Sequence, residues 1–101
     1  MVKIIAVIKP FVLEEVLKAI DEFEIYDVTI EEVRGYGRQK GHLKLYRGDA
    51  FFRAFLPKVR ISFFAPAQFA DDIISAIRRK ARTGRIGDGK IFVLPAQARD
   101  V

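Results

Sequence analysis

One pattern, used twice, constrains this chain most: a strand-like run, a proline, then an amphipathic helix. Val2 to Ile8 is an almost continuous apolar run with β-branched residues, which suits a strand buried on both faces. Pro10 then opens a helix in which Leu13, Val16, Leu17 and Ile20 recur at i, i+3, i+4 and i+7, the spacing of one helix face. In the second half Val59 to Ala65 reads as a strand with Val59, Ile61 and Phe63 on one face. Pro66 follows it and opens a helix with Phe69, Ile73, Ile74 and Ile77 inward. An Ala-Ile pair, Ala19-Ile20 and Ala76-Ile77, recurs at the same place in both helices.

Each half is completed by another strand. Tyr26 to Val33 is rich in β-branched residues, and Ile91 to Leu94 is apolar until Pro95 ends it. Two β-α-β halves joined in this way give an α+β, ferredoxin-like sandwich: a four-stranded antiparallel sheet with both helices on one face. A chain of 101 residues is expected to be one domain spanning 1–101. The second sheet face is then left bare. Its candidates, Ile5 or Ile4, Val28 or Thr29, Phe64 and Phe92, are too apolar to stay wet. A homo-oligomer of closed symmetry is the economical cover.

Between the halves no period holds. From Arg34 to Phe55 the run is broken by Gly35, Gly37, Gly41 and Gly48 and filled with charge, which predicts a loop, about 36–55. That exceeds the usual limit of ~12–15 residues, and loops of such length are functional or disordered.

The charge is also uneven. The net charge is +5. Acids gather in the first third, from Glu14 to Glu32, and cations in Arg34 to Arg60 and again in Arg78 to Lys90. Two basic stretches suggest an anionic partner. There is no cysteine, so disulfides and thiolate chemistry are excluded. His42 is the only histidine, which excludes a multi-histidine metal site. Glu14-Glu15 and Asp71-Asp72 fall in first helical turns and read as helix-dipole partners, not acid/base pairs. The start of the chain shows no cleavable signal, and no apolar run approaches the ~20 residues of a membrane helix, so a cytoplasmic location is expected. Nothing marks an enzyme.

Arg82 to Lys90, "RTGRIGDGK", nearly matches a phosphate-binding P-loop. The match fails twice. Ile91 stands where a magnesium-holding hydroxyl belongs, and the order is helix, loop, strand instead of strand, loop, helix. What survives is a glycine-rich anion site. Gly84, Gly87 and Gly89 free the backbone to turn N–H groups toward an anion, Thr83 offers a hydroxyl, and Arg82, Arg85 and Lys90 add charge. A plain turn is the alternative. Arg34-Gly35-Tyr36-Gly37 begins like an RNA-recognition signature, also carried on a β-α-β-β-α-β fold, but gives way to Arg38-Gln39-Lys40-Gly41. An RNA-binding module is therefore a distant second reading.

"IKPFVLEEV" (Ile8 to Val16), "GYGRQKGHLKLYRG" (Gly35 to Gly48), "FLPKV" (Phe55 to Val59) and "ARTGRIGDGKIFV" (Ala81 to Val93) closely resemble, in that order, the PII signal-transduction proteins. The resemblance runs from Met1 to about Pro95. It implies a cytoplasmic homotrimer that senses ATP against ADP, and 2-oxoglutarate, in clefts between subunits. A long T-loop, about 36–55, would dock to an enzyme or transporter of nitrogen metabolism, in the latter case at the inner face of the membrane. Residues 82–90 would be the B-loop.

By position, Gly87, Asp88, Gly89 and Lys90 would contact phosphates and ribose, with Arg82 and Thr83 beside them. Arg38 would reach in from the T-loop base near Gly35 and Gly37, and Thr29 and Phe64 would line the adenine pocket. Gln39 would help hold Mg2+ with the nucleotide phosphates. Lys58 would bind 2-oxoglutarate with Gln39, Gly87 and the backbone near Gly37 and Gly41. A lysine suits a dicarboxylate as a point charge. Lys40, His42, Lys44, Tyr46, Arg47, Phe51 and Phe52 would meet a partner with an acidic or partly apolar surface, unless the two phenylalanines are packed at the loop base.

The departures from the family pattern carry expectations too. The T-loop reads Tyr46-Arg47-Gly48-Asp49-Ala50-Phe51, so the tyrosine that relatives nucleotidylate is Phe51, and Asp49 replaces a serine that some phosphorylate. No covalent switch is expected there. Position 62, usually acidic and taken to lie close to Lys58, is Ser62. The family's basic tail is shortened to Gln97-Ala98-Arg99-Asp100-Val101, with Arg99 a possible substitute, which predicts weaker nucleotide binding. A divergent sensor of adenine nucleotides alone, serving a pathway such as ion or bicarbonate transport, is the alternative.

Overall fold

The computed structural model describes residues 1–39 and 52–101. Strand β1 (Val2–Ile8) leads through a 3-10 turn (Pro10–Val12) into helix α1 (Leu13–Ile20), and β2 (Tyr26–Gln39) follows. The second half repeats the order with β3 (Phe52–Ala65), a 3-10 turn (Ala67–Phe69), α2 (Ala70–Ala81) and β4 (Gly89–Pro95). The four strands form one antiparallel sheet in the order β2-β3-β1-β4. This is the α+β, ferredoxin-like arrangement that the two strand–proline–helix units predict.

The two prolines stand one position apart in otherwise matching turns. Pro10 sits at the start of its 3-10 turn, where its missing N–H leaves no hydrogen bond unmade, and Pro66 caps the second turn. The turns join their helices through Val12 (φ −96°, ψ 0°) and Phe69 (φ −99°, ψ −1°), so the repeat extends to the backbone angles. Glu14 and Glu15 lie in the first turn of α1, Asp71 and Asp72 in that of α2, and Arg78, Arg79 and Lys80 in the last turn of α2, each favoured by the helix dipole.

The core lies between the helices and one sheet face. Ile4, Ala6 and Ile8 of β1 alternate toward it, as do Val59, Ile61 and Phe63 of β3. Val16 and Ile20 of α1 and Ile73 and Ile77 of α2 close it from the other side. Ile74, expected inward, is only half-buried, while Ala76 and Ala81 are buried. Close helix–sheet approach favours these small residues.

Three expectations are corrected. First, β1 is fully buried on one face only, because Lys3, Ile5 and Val7 face the open side of the sheet and are half-buried. The uncertain pairs resolve with it: Ile4 faces the helices and Ile5 the open side. Thr29 stands opposite Ser62 on that open side, whereas Val28 lies beside Leu17 and Ile25 of the helix side. A register irregularity between Tyr26 and Thr29, with Asp27 in the left-handed region (φ 53°), makes the change. The open side keeps Phe92 and Leu94 49% and 45% exposed, which is the bare apolar surface the sequence predicts.

Second, the edge strand extends through Gly89 and Pro95, beyond Ile91 to Leu94. Third, the region between the halves is not loop from residue 36 to residue 55. β2 continues to Gln39 and β3 starts at Phe52, and the two pair as a ribbon from Arg34↔Pro57 to Gln39↔Phe52. The ribbon runs past the end of β1, which pairs only with Val59 to Ala65. Outside the core it needs no alternation of apolar and polar residues, so it leaves no period to read. Pro57 is tolerated because β3 has a ladder on one side only at that point.

Candidate functional site

The register of the sheet assembles the site. Ile8, the last residue of β1, pairs with Val59 on one side and Gly89 on the other. Lys9, Lys58 and Asp88 are the immediate neighbours of those three residues, so three charged side chains meet at one corner. The loop 82–88 joins the end of α2 to the start of β4 at this corner.

Glycines shape the loop. Gly84, Gly87 and Gly89 have φ of 83°, 86° and 124°, a region that side chains with a Cβ rarely enter. At Gly89 a Cβ would also lie 1.9 Å from the Val7 carbonyl oxygen. Only glycine lets β4 begin this close to β1.

The first half of the loop closes on an anion, and that anion is the chain's own. One carboxylate oxygen of Asp88, Oδ2, accepts the N–H of Thr83 at 2.9 Å and of Gly84 at 2.8 Å. The other, Oδ1, accepts the Thr83 hydroxyl and the Lys9 ammonium, the latter at 3.2 Å. The Thr83 hydroxyl oxygen also accepts from the Arg85 N–H at 3.2 Å and from Lys9 at 3.4 Å. With so many donors, led by the Thr83 hydroxyl and the loop amides, the Asp88 carboxyl is held well below the usual carboxylate range.

The second half of the loop faces Lys58. The Lys58 ammonium donates to the Gly87 carbonyl. A Cβ on Gly87 would stand 3.4 Å from Lys58 Nζ and 4.0 Å from Lys9 Cε, so the two lysines flank this residue. Burial lowers the Lys58 pKa, and the charge of Lys9 lowers it further, with Asp88 acting in the opposite sense. Lys58 also packs beside Gly35, whose Cβ position lies 3.7 Å from Lys58 Cγ. The root of the ribbon and the loop therefore share one lysine. Two ammonium groups and a single carboxylate leave this half-buried corner with a surplus positive charge.

Among the expected residues, the structure thus gathers Gly35, Lys58, Thr83, Gly87, Asp88 and Gly89. Arg82, Arg85 and Lys90 are exposed around them. Thr29 and Phe64 are not brought to the corner within one chain. Phe64 is six residues along β3 from Lys58, roughly 20 Å at the rise of a strand. It pairs there with Lys3 and Tyr26, and Lys3 Nζ sits 5.7 Å from its ring centre. Gly37, Arg38, Gln39 and Phe52 belong to the ribbon backbone, opposite Ala54, Arg53, Phe52 and Gln39. What is expected of the side chains of Arg38, Gln39 and Phe52 lies outside the described residues, as do Lys40, Gly41, His42, Lys44, Tyr46, Arg47 and Phe51.

Ser62 also needs correction. It is not beside Lys58 in one chain: four residues of strand, about 13 Å, separate them. Arg60 stands between the two on the same face and pairs with Glu31 across the sheet through two contacts of 3.0 Å. Sequence reasoning also missed Lys9. Its only signal was position, a cation placed between a buried strand and the proline that turns the chain.

A family model described as nitrogen regulatory protein P-II matches residues 1–101. The nitrogen regulatory protein P-II of Bradyrhizobium diazoefficiens is 53% identical over 93 residues, 92% of this chain and 83% of that protein. That of Azospirillum brasilense is 50% identical over 97 residues, 96% and 87% of the two chains. Nitrogen regulatory protein P-II 1 of Escherichia coli is 52% identical over 93 residues, 92% and 83%. Repeated units, glycine-rich loop and whole-length similarity agree: the chain belongs to the P-II family of nitrogen regulatory proteins, which transmit signals and are not enzymes.

Proposed function

We propose that this chain is a sensor of ATP and ADP, responsive to 2-oxoglutarate, that regulates an enzyme or transporter of nitrogen metabolism through residues 36–55. The observation that carries the reading is the surplus positive charge of Lys9 and Lys58 around a glycine loop at the root of the β2–β3 ribbon. Phosphate oxygens would meet the loop from Gly87 to Lys90, and the exposed Arg82 and Lys90 add charge to its rim. A carboxylate of 2-oxoglutarate would meet the Lys58 ammonium. Magnesium fits this site only as the nucleotide's companion. No group of three or more His, Cys, Asp or Glu suited to a metal occurs among the described residues, so the phosphates themselves, with Gln39, would hold it.

Thr29 and Phe64 would serve the adenine from a neighbouring copy, because about 13 Å of strand at the Thr29–Ser62 pair and roughly 20 Å at Phe64 part them from their own loop. A homotrimer closed over the open sheet face supplies that neighbour and covers Phe92 and Leu94. The unit is the whole chain, 1–101, acting in the cytoplasm, with recruitment to the membrane where the partner is a transporter.

Signalling follows from the shared lysine. Lys58 touches Gly87 in the loop and packs on Gly35 in the ribbon, so a ligand that engages Lys58 biases the ribbon and the segment beyond it. Titration calorimetry with ATP–magnesium, with and without 2-oxoglutarate, tests the reading. Each ligand should tighten the other by the same factor, because coupling is reciprocal. No heat from either adenine nucleotide at millimolar concentration would end it. Nucleotide binding that ignores 2-oxoglutarate would point to a sensor for another pathway.

A further inference from the structure

We infer that Lys9 is a positioning residue for the glycine loop: it clasps the Asp88 carboxylate and the Thr83 hydroxyl, so that the first half of the loop is closed by the chain itself and only the second half is presented to a ligand's anion. The inference rests on the nucleotide reading above and gives a positioning role to Lys9, which that reading counts only as charge.

Three observations carry it. The Thr83 and Gly84 amides, which a glycine-rich loop could offer to a phosphate, both donate to Asp88. Asp88 is therefore an internal anion, and its carboxylate oxygens are fully engaged by the loop and by Lys9. Among the described residues, Lys9 is the side chain from another element that donates to Asp88 and to the Thr83 hydroxyl. It sits one residue past β1, where the Ile8–Gly89 pairing already fixes the sheet. Its side chain passes within 4.0 Å of the Cβ position of Gly87, which Lys58 Nζ approaches to 3.4 Å. The amides of Ile86, Gly87 and Asp88 have no protein acceptor among the described residues, and they are the donors left for a ligand.

The clasp also gives one of two mutually repelling charges a counter-ion. Lys9 is paired with Asp88, whereas among the described residues Lys58 has no carboxylate partner, so the ligand meets Lys58 as the cation without a counter-ion. The charged groups facing Lys58 are Lys9 from the end of β1 and Asp88 from the loop.

The experiment compares wild type with Lys9→Met, Lys9→Arg, Asp88→Asn and the double variant K9M/D88N by ATP–magnesium calorimetry. Thermal unfolding checks the fold of each, and Lys9→Gln replaces K9M if that variant is unfolded. K9M should bind ATP at least about tenfold more weakly, the loss typical of one charge-assisted hydrogen bond, while K9R stays close to wild type. K9M/D88N should bind no more weakly than the worse single variant, because both substitutions open the same clasp. Rescue by K9R separates the charge of the clasp from general loosening, and NMR titration of the Lys58 ε-methylene follows that charge: its midpoint should rise in K9M, where the repelling neighbour is gone, and stay at the wild-type value in K9R, which keeps it. Unchanged affinity in K9M, losses that add in the double variant, or an unmoved Lys58 midpoint would overturn the inference. If wild type itself binds no nucleotide, the nucleotide reading fails, and the clasp is judged on amide exchange at Thr83 and Gly84. Faster exchange in K9M keeps it, and equal exchange removes it.

Discussion

The two connections that leave the helices invite comparison. They follow units that match down to the backbone angles at Val12 and Phe69, yet they do opposite things. After α1 the chain runs Asp21-Glu22-Phe23-Glu24-Ile25, without glycine, and packs Phe23 and Ile25 against the core. After α2 it runs through Gly84, Gly87 and Gly89, buries no large side chain, and gathers cations around a held carboxylate. One scaffold thus uses its first return loop for stability, and its second is the loop we propose for binding. The difference lies in a few residues, since the helices and strands that position both loops are equivalent.

The sharpest way to break this contrast is Gly89→Ala. A Cβ that overlaps the Val7 oxygen at a φ of 124° cannot be relieved by a side-chain movement. A loss of ~4 kcal/mol or more in urea unfolding is expected, among the largest single-residue effects. A fully stable G89A protein would show that β1 and β4 can part without cost.

Next come substitutions in the shared core. Ile20→Ala in the first helix and Ile77→Ala in the second should cost about 2–5 kcal/mol each, because both are fully buried. Similar losses mean that the halves are equal as scaffold. A large gap between the two would mean that one helix carries the fold.

The Lys58 ammonium gives a pH test of the binding loop. Burial and Lys9 lower its pKa below the ordinary 10.5, so it loses its proton earlier than a free lysine as pH rises. Affinity for an anionic ligand should therefore fade on the alkaline side before 10.5. Calorimetry across pH 8–10 checks this, roughly the window below an ordinary lysine pKa.

Asp88 gives the acid counterpart. Its folded pKa is depressed, so its contribution is complete above the ordinary carboxylate value of ~3.9 and is lost as pH falls through the folded value. The stability difference between wild type and D88N should stay level from neutral pH to about 5 and shrink below about 4. The smallest effect belongs to the Arg60–Glu31 pair, which is exposed. Glu31→Gln should change stability by no more than about 1 kcal/mol, and less in high salt.

Much of the scaffold was legible in the sequence, and for a definite reason. Strand and helix leave different periods when one face is buried, and Ile4 to Ile8, Val59 to Phe63, Val16 with Ile20, and Ile73 with Ile77 all have one buried face. The ribbon from Arg34 to Gln39 and from Phe52 to Pro57 runs past the end of β1 and left no period. The loop's capacity for an anion was legible from Gly84, Gly87 and Gly89. That the nearest anion is Asp88 was not, since it depends on how the loop folds back on Thr83. Lys9 was invisible for a related reason. It lies 79 positions from Asp88 along the chain, and only the pairing of β1 with β4 brings the two together.

By itself, then, the order of residues determined the repeated strand–proline–helix unit, the bare apolar sheet face and the glycine loop, because periodicity, proline and glycine act on the backbone locally. The tertiary structure decided the rest. It set Lys9, Lys58 and Asp88 at one corner, and it parted Thr29 and Phe64 from that corner. Such placements depend on strand register, which brings distant segments side by side and is fixed only when the whole sheet closes over its core.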